Sequence, residues 1–256
     1  AAIEKLASGE TSYKVDVNDF SSLEAELAEG LNRISDGLET ALAEQVKSER
    51  LKADLITNVS HDIKTPLTSI INYVDLIKRQ HIEDPTVQKY LEVLDQKSQR
   101  LKTLTEDLVE ASRASSGNIK LEITNIDFVE LVQQTTGEFE EKYAIRHLEI
   151  VNTLPNEVIM IEADGRRLWR VLENLYNNAF KYALEGTRVY VTIEDHGADV
   201  VFTIKNVSAN PLNISPDELT ERFVRGDVSR TTEGSGLGLS IAKDLTTLQG
   251  GKFALI

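Results

Sequence analysis

The chain has 256 residues, 41% hydrophobic and 27% charged, which is a globular composition with room for two or three modules. The net charge of −14 excludes a nucleic-acid binder with a basic surface, and the absence of cysteine excludes disulfide scaffolds and thiolate metal sites. No stretch reaches the roughly 18 apolar residues of a membrane span. The chain begins inside an amphipathic pattern and ends inside a strand-like one, so we expect it to be part of a longer protein.

The N-terminal 45 residues predict helices with a connector between them. Residues 1–9 are typical of a helix end closed by Gly9, residues 10–20 predict an extended connector, and Ser21 or Ser22 can cap the next helix. From Leu23 onward, apolar residues recur at steps of four and three, which is a coiled-coil pattern. A single amphipathic helix on a globular core is the alternative, but the seam continues toward Leu55 and favours a dimeric helix. The seam consists of Leu27, Leu31, Ile34, Leu38 and Ala41.

Two further helices are predicted over residues 45–80 and 86–115, with Pro85 able to open the second. A short loop between long helices predicts a helical hairpin. The second helix carries an apolar seam with one polar interruption, at Tyr90, Leu94, Lys97, Leu101, Leu104 and Leu108. An isolated hairpin would leave an apolar stripe uncovered, so the pattern predicts a homodimer whose two hairpins form a four-helix bundle.

Residues 117–256 mix strand and helix patterns. Alternating apolar residues predict strands within 119–128, 148–154 and 158–163, and a hairpin of strands 187–195 and 199–207 around His196-Gly197. Helical patterns cover 127–145 and 164–184. Because helix and strand do not alternate strictly, we expect an α+β sandwich, a mostly antiparallel sheet covered by helices on one face.

The segment SHDIKTPLTSI, residues 60–70, contains a candidate nucleophile. Asp62 can accept the Nδ1 proton of His61 and leave Nε2 as the better nucleophile, and Thr65 lies one helical turn farther along the same face. Pro66 removes a backbone hydrogen bond, which costs on the order of 3 kcal/mol and bends the helix. The alternative is a surface histidine beside an aspartate. The other histidines lack such neighbours: His81, His147 and His196.

Two later segments predict a nucleotide site. In GSGLGLSIA, residues 234–242, Gly234, Gly236 and Gly238 precede a helix, where backbone N–H groups can approach a phosphate. Alone this pattern also fits a flexible loop. The helix at 168–184 adds polar residues at helical spacing, namely Asn174, Asn178, Lys181 and Tyr182. An amide oxygen can ligate Mg²⁺ and a lysine can neutralise phosphate charge, although the same residues could form a solvated helix face.

Together these segments resemble the sensor histidine kinases of two-component systems, over nearly the whole chain. SHDIKTPLTSI is similar to the family's H box, which implies that His61 is the phosphoacceptor, that Asp62 is the base, and that Thr65 positions water during dephosphorylation of the partner. ENLYNNAFKYA, residues 173–183, is similar to the N box. That match implies that Asn178 ligates Mg²⁺ and that the other three polar residues surround the phosphates and base of ATP.

The resemblance extends to the end of the chain. ERFVRGDVSR, residues 221–230, resembles the F box and lid, which implies that Phe223 anchors the lid and Arg230 lies near the terminal phosphate. GSGLGLSIA matches the second glycine box, which implies nucleotide contacts from Gly234, Gly236, Leu237 and Gly238. Residues 1–45 are similar to the end of a HAMP relay with a signalling helix, and such a relay usually follows a membrane span.

One box departs from the family pattern. Where the family has DxGxG, the chain reads Asn206-Val207-Ser208-Ala209-Asn210. The family's aspartate accepts a hydrogen bond from the adenine amino group, and the amide oxygen of Asn206 could do the same without the charge. We expect weaker ATP binding or relaxed base selectivity.

The resemblance implies three domains: a partial HAMP and signalling helix at 1–45, a dimerisation and histidine phosphotransfer domain at 46–116, and a catalytic ATP-binding domain at 117–256. It implies Mg²⁺ and ATP as cofactors, autophosphorylation of His61, transfer to an aspartate of a response-regulator receiver domain, and phosphatase activity. It further implies the cytoplasmic portion of a membrane protein. The alternatives are a non-catalytic dimeric scaffold of the same fold, or an ATPase of the gyrase and heat-shock type. The latter places a glutamate base where this chain has Asn174.

Overall fold

The N-terminal half of the chain is dominated by two long helices in a computed structural model that describes residues 14–16, 22–80, 82–117, 119–211, 215–221 and 235–256. Helix α1 spans Ser22–Lys78 and helix α2 spans Pro85–Ser115. The two helices predicted before residue 80 are therefore one, and α1 continues through Pro66. None of the helices in the described ranges is long and apolar enough to cross a membrane.

The chain divides into two units, residues 1–55 and 56–256. In the first unit, the side-chain amide of Asn32 accepts from the N–H of Val15 at 2.8 Å and donates to the carbonyl of Val15 at 2.9 Å. Lys14 pairs with Asp36 at 2.8 Å. The predicted seam residues Leu27, Ile34 and Leu38 are exposed. They are therefore not used for packing within this unit.

In the second unit, α2 begins where the sequence predicts, with Asp84 as its N-cap and Pro85 in the first turn. Lys78 of α1 and Asp95 of α2 form an ion pair at 2.6 Å. Buried positions recur every seventh residue on both helices, which is the pattern of two helices packed along one seam. These positions are Ser60, Leu67 and Val74 on α1 and Leu91, Ser98, Thr105 and Ser112 on α2.

Part of the seam predicted for α2 is left uncovered within one chain, as expected of an isolated hairpin. Tyr90, Leu94 and Leu101 are exposed, because the packed stripe is shifted by one residue to Leu91 and its heptad partners. One face of α2 is thus covered within the chain and a second apolar face points outward.

The remaining elements are five strands and four helices within the described residues. They are β1 Thr124–Asp127, α3 Phe128–Ala144, β2 Glu149–Thr153, β3 Met160–Ala163, α4 Gly165–Tyr182, β4 Arg188–Asp195, β5 Val200–Asn206, α5 Pro216–Leu219 and α6 Gly238–Leu248. The hairpin of β4 and β5 turns at Gly197, whose φ of 79° is one that glycine adopts without strain.

The strands form two sheets. β1 pairs with β3 antiparallel, and β4 lies between β2 and β5. β4 pairs antiparallel with β5 but parallel with β2, so the second sheet is mixed. The predicted α+β class is confirmed. The expectation of a mostly antiparallel sheet holds except for the β2–β4 pair, where the connection through β3 and α4 is long enough for a crossover.

Two apolar clusters position the functional elements. The larger packs α3 and α4 on the mixed sheet and includes Val132, Tyr143, Leu172, Tyr176, Val189 and Val191. The hydroxyl of Tyr143 donates to the carbonyl of Tyr176 at 2.7 Å, so the buried phenol is satisfied. The smaller joins α2, α4 and α6 through Ala111, Ala114, Val171, Leu237, Ile241 and Leu245.

Candidate nucleotide and phosphoacceptor sites

His61 is presented to solvent on α1. Its side chain is 80% exposed, and its Nδ1 lies 3.7 Å from Oδ1 of Asp62. The hydroxyl of Thr65 donates to the carbonyl oxygen of His61 at 3.4 Å. Pro66 has no N–H to donate to the carbonyl of Asp62, so the helix is weakened at this turn. The three residues predicted for this site are therefore neighbours on one accessible turn.

The N-terminus of α4 is fixed by Asp164. Its carboxylate accepts from the backbone N–H of Arg167 at 3.1 Å and from that of Glu122 at 3.0 Å. Burial acts to raise the pKa of Asp164, but the N–H groups of Glu122 and Arg167 outweigh it and hold that pKa below its usual range. The side chain of Gln249 accepts from the Asp164 N–H at 2.8 Å. Through Asp164, the first turn of the helix that carries the predicted N box is hydrogen-bonded to Glu122 and to Gln249.

The C-terminus of α4 is held by Arg146, which the sequence reading missed. Its guanidinium donates to the carbonyl oxygens of Phe180, Lys181 at 3.1 Å and Ala183 at 2.9 Å. It also lies 5.5 Å from the centre of the Phe180 ring. These carbonyls have no partner inside the helix, so the arginine satisfies groups that the helix cannot.

The polar residues of α4 differ in their surroundings. Asn174 is 9% exposed, and its amide donates to the carbonyl of Arg170 at 2.9 Å. Lys181 donates to the hydroxyl of Tyr182 at 2.8 Å. The side chain of Asn177 accepts from Lys142 at 2.6 Å, whereas the half-buried side chain of Asn178 has no hydrogen-bond partner among the described residues. Of the two neighbouring asparagines, Asn178 has the amide that is free to bind a ligand.

The glycine turn meets this helix. Gly236 has a φ of 71°, and α6 begins at Gly238 without a side-chain cap on its first N–H groups. A Cβ on Gly238 would stand 3.2 Å from Oδ1 of Asn174, so a larger residue here would require the Asn174 side chain to shift. Leu237 is 2% exposed and packs in the smaller cluster, so its side chain is not available to a ligand. The structure therefore brings Asn174, Gly236 and Gly238 together, while Gly234, Arg230 and Phe223 lie outside the described residues.

The altered segment 206–210 pairs with the end of α4. The N–H of Leu184 donates to the carbonyl of Val207 at 2.7 Å, and that of Ala209 donates to the carbonyl of Tyr182 at 2.8 Å. Ser208 and Asn210 stand where the family has glycine, yet neither has a positive φ. The replacements therefore cause no backbone strain. Asn206 is exposed at the end of β5.

These residues fit a magnesium nucleotide better than a metal held by the protein alone. Across the described ranges, no group of three or more acidic or histidine side chains could hold a metal ion. An asparagine amide, a nearby lysine and uncapped helix N–H groups are instead the donors that Mg²⁺ and phosphates require when they bind together.

Two known family models match parts of the chain. Residues 51–117 match the His Kinase A (phospho-acceptor) domain, and residues 163–255 match the histidine kinase-, DNA gyrase B-, and HSP90-like ATPase. The chain is 31% identical over 229 residues to the sensor protein VanS of Enterococcus faecium, covering 87% of this chain and 58% of VanS. It spans 35–58% of the length of the curated sensor kinases that it matches.

Solved structures show the same fold. Full-length ShkA in complex with AMPPNP superposes with a TM-score of 0.69 at 23% identity, over 78% of this chain and 42% of ShkA. Histidine kinase ThkA in complex with response regulator protein TrrA gives 0.54 at 28% identity, over 85% of this chain and 62% of that one. With both family domains present in the expected order, the chain belongs to the sensor histidine kinases of two-component systems.

Proposed function

We propose that the chain transfers the terminal phosphoryl group of Mg·ATP to Nε2 of His61. The observation that carries this proposal is the close approach of Asn174 to Gly238, which joins the N-box helix to the glycine turn in the same chain as the exposed His61. The bond between the terminal phosphorus and its bridging oxygen breaks as the bond to Nε2 forms, and ADP leaves. Asp62 accepts the Nδ1 proton of the imidazole after a small side-chain rotation.

The residues of the nucleotide site act mainly by position and charge. Asn178 would hold the metal, Lys181 would neutralise phosphate charge, and the turn at Gly236 would present backbone N–H groups. Mg²⁺, when bound, neutralises charge on the phosphates. The exposed amide of Asn206 would contact the base. We also propose that Arg230 lies near the terminal phosphate and that Gly234 contacts the nucleotide. The three proposed domains are residues 1–45, 46–116 and 117–256.

The phosphoryl group would then pass to an aspartate of a response regulator, with Thr65 positioning water for the reverse dephosphorylation. The ThkA–TrrA complex supports a regulator as partner, because ThkA shares 28% identity with this chain. We extend the proposal to a membrane location of the complete protein, as the resemblance implies.

A homodimer is supported by the second apolar face of the hairpin. Exposed residues on α1 and α2 follow steps of three, four and seven that a partner copy could cover. They are Val59, Ile63, Ile70, Tyr73 and Ile77 on α1 and Tyr90, Leu94 and Leu101 on α2.

Labelled ATP tests the transfer. Incubation with ATP labelled at the terminal phosphate should give acid-labile label that disappears in His61→Gln. The matched control is His196→Gln, because His196 is also exposed and lies beside a carboxylate, at 3.4 Å from Glu194. Label that persists in His61→Gln would refute the proposal. Titration calorimetry with Mg·ATP addresses the scaffold alternative, which predicts no saturable heat. The phospho-acceptor domain at 51–117 has no place in a gyrase-type ATPase.

A further inference from the structure

A partly buried polar network connects α2 with α4. Asp107 of α2 is 8% exposed, and its Oδ1 accepts from Arg170 of α4 at 2.5 Å. The same guanidinium donates to Glu110 at 2.7 Å and to Glu173. Burial acts to raise the pKa of Asp107, and the Arg170 charge opposes it. A carboxylate in this position would be costly without its partners, so the network depends on all of them.

The second oxygen of Asp107 reaches the glycine turn. Oδ2 accepts from the hydroxyl of Ser235 at 3.0 Å, and the Ser235 oxygen accepts from the N–H of Leu237 at 3.2 Å. Gly236 lies between them with its positive φ of 71°. One carboxylate on the hairpin therefore fixes the serine that closes this turn.

The network returns to the nucleotide site through α4. The carbonyl of Arg170 accepts from the amide of Asn174, and the other end of that amide faces Gly238. Beneath the polar contacts, Leu237 packs with Ala111 and Ala114 of α2. The turn, the N-box helix and the hairpin helix are thus joined by both polar and apolar contacts.

The ion pair of Lys78 and Asp95 shows which positions of α1 and α2 lie beside each other, so the distance of the polar network from His61 along the hairpin can be counted from it. His61 lies 17 residues from Lys78 and Asp107 lies 12 residues from Asp95, both away from the loop, so their levels differ by about 7.5 Å along the helix axis. The network therefore contacts the hairpin close to the level of His61.

We propose that Asp107 is a positioning residue that sets the glycine turn for nucleotide binding through the Ser235 hydroxyl. This inference rests on the proposed function, because it assigns the turn to Mg·ATP. A turn already held in shape binds its ligand without a further ordering cost. Nucleotide affinity therefore depends on the contact between the glycine turn and α2. In this way α2 influences nucleotide binding without contacting the nucleotide itself.

A double-mutant cycle tests the coupling. Ser235→Ala removes one hydroxyl and leaves the ion pairs intact, and Asp107→Asn weakens the pairing with Arg170. Each should raise the Kd for Mg·ATP about tenfold in titration calorimetry, and the double variant should raise it little further. The control is Asp95→Asn, which removes an ion pair from the same helix and should keep the wild-type Kd.

The outcomes separate the two proposals. Saturable binding to the wild type with an unchanged Kd in Ser235→Ala overturns the positioning role alone. The same holds if the two single effects are additive, or if Asp107→Asn lowers the melting temperature without changing the Kd. A wild-type chain that shows no saturable heat with Mg·ATP overturns the proposed function and this inference with it.

Discussion

Arg146 lies in the short connection between α3 and β2, where most substitutions have a small effect on stability. Replacing it should nevertheless destabilise the ATP-binding domain strongly. The guanidinium supplies donors to three carbonyl oxygens at the end of α4, those of Phe180, Lys181 and Ala183. At about 1 kcal/mol net for each hydrogen bond, Arg146→Ala should lower the free energy of unfolding by about 3 kcal/mol. Arg146→Lys keeps the charge but cannot serve three acceptors, so it should recover only part of that loss.

The single tryptophan provides the assay, because Trp169 lies in α4 itself. Urea unfolding followed by its fluorescence reports the helix that Arg146 caps. Arg188→Ala is the control, since Arg188 is 61% exposed and its ion pair is with the exposed Glu149 on the neighbouring strand; its loss should change the free energy of unfolding far less than the loss of Arg146. An Arg146→Ala variant no less stable than Arg188→Ala would refute the reasoning.

Three further predictions follow from the surroundings of individual residues. Gly238→Ala should weaken Mg·ATP binding roughly fivefold in titration calorimetry, equivalent to about 1 kcal/mol, because the new Cβ stands 3.2 Å from Asn174. Gly137→Ala, in open space on α3, should instead stabilise the fold by up to about 1 kcal/mol in thermal unfolding, and a loss of stability would contradict the helix assignment. Asp164→Asn should cost about 1 kcal/mol at neutral pH in urea unfolding. Because the pKa of Asp164 is lowered in the fold, this cost should be constant above about pH 4 and disappear as the pH falls through the folded value; a cost that grew toward acid pH would contradict it.

Local patterns were sufficient to predict most elements. The hairpin of β4 and β5 was readable from strict alternation on either side of His196-Gly197, and α2 from Pro85 and its apolar period. The glycine turn could be predicted because a positive φ at Gly236 and a close approach to Asn174 at Gly238 both favour glycine.

Contacts between residues far apart in the sequence could not be predicted from local patterns. Arg146 caps a helix end about 35 residues away, and Asp107 meets Ser235 across 128 residues, so no local pattern identifies either. The sequence also did not distinguish the stripe of α2 that packs within the chain, which contains Leu91, from the apolar stripe at Tyr90, Leu94 and Leu101 that stays exposed, because both are apolar and only packing separates them. The parallel pairing of β2 with β4 likewise depends on the path of the chain between them.

The heptad stripe of the hairpin has an uneven composition. With distance from the loop, the buried position changes from Val74 and Leu67 to Ser60 on α1, and from Leu91 to Ser98, Thr105 and Ser112 on α2. Burying a leucine or valine contributes about 1.5–3 kcal/mol, and a serine contributes far less. The buried stripe therefore contributes less apolar packing at Ser60, next to His61, than at Val74 and Leu91 near the loop. We expect the two helices to separate beside the phosphoacceptor at a lower cost in free energy than beside the loop.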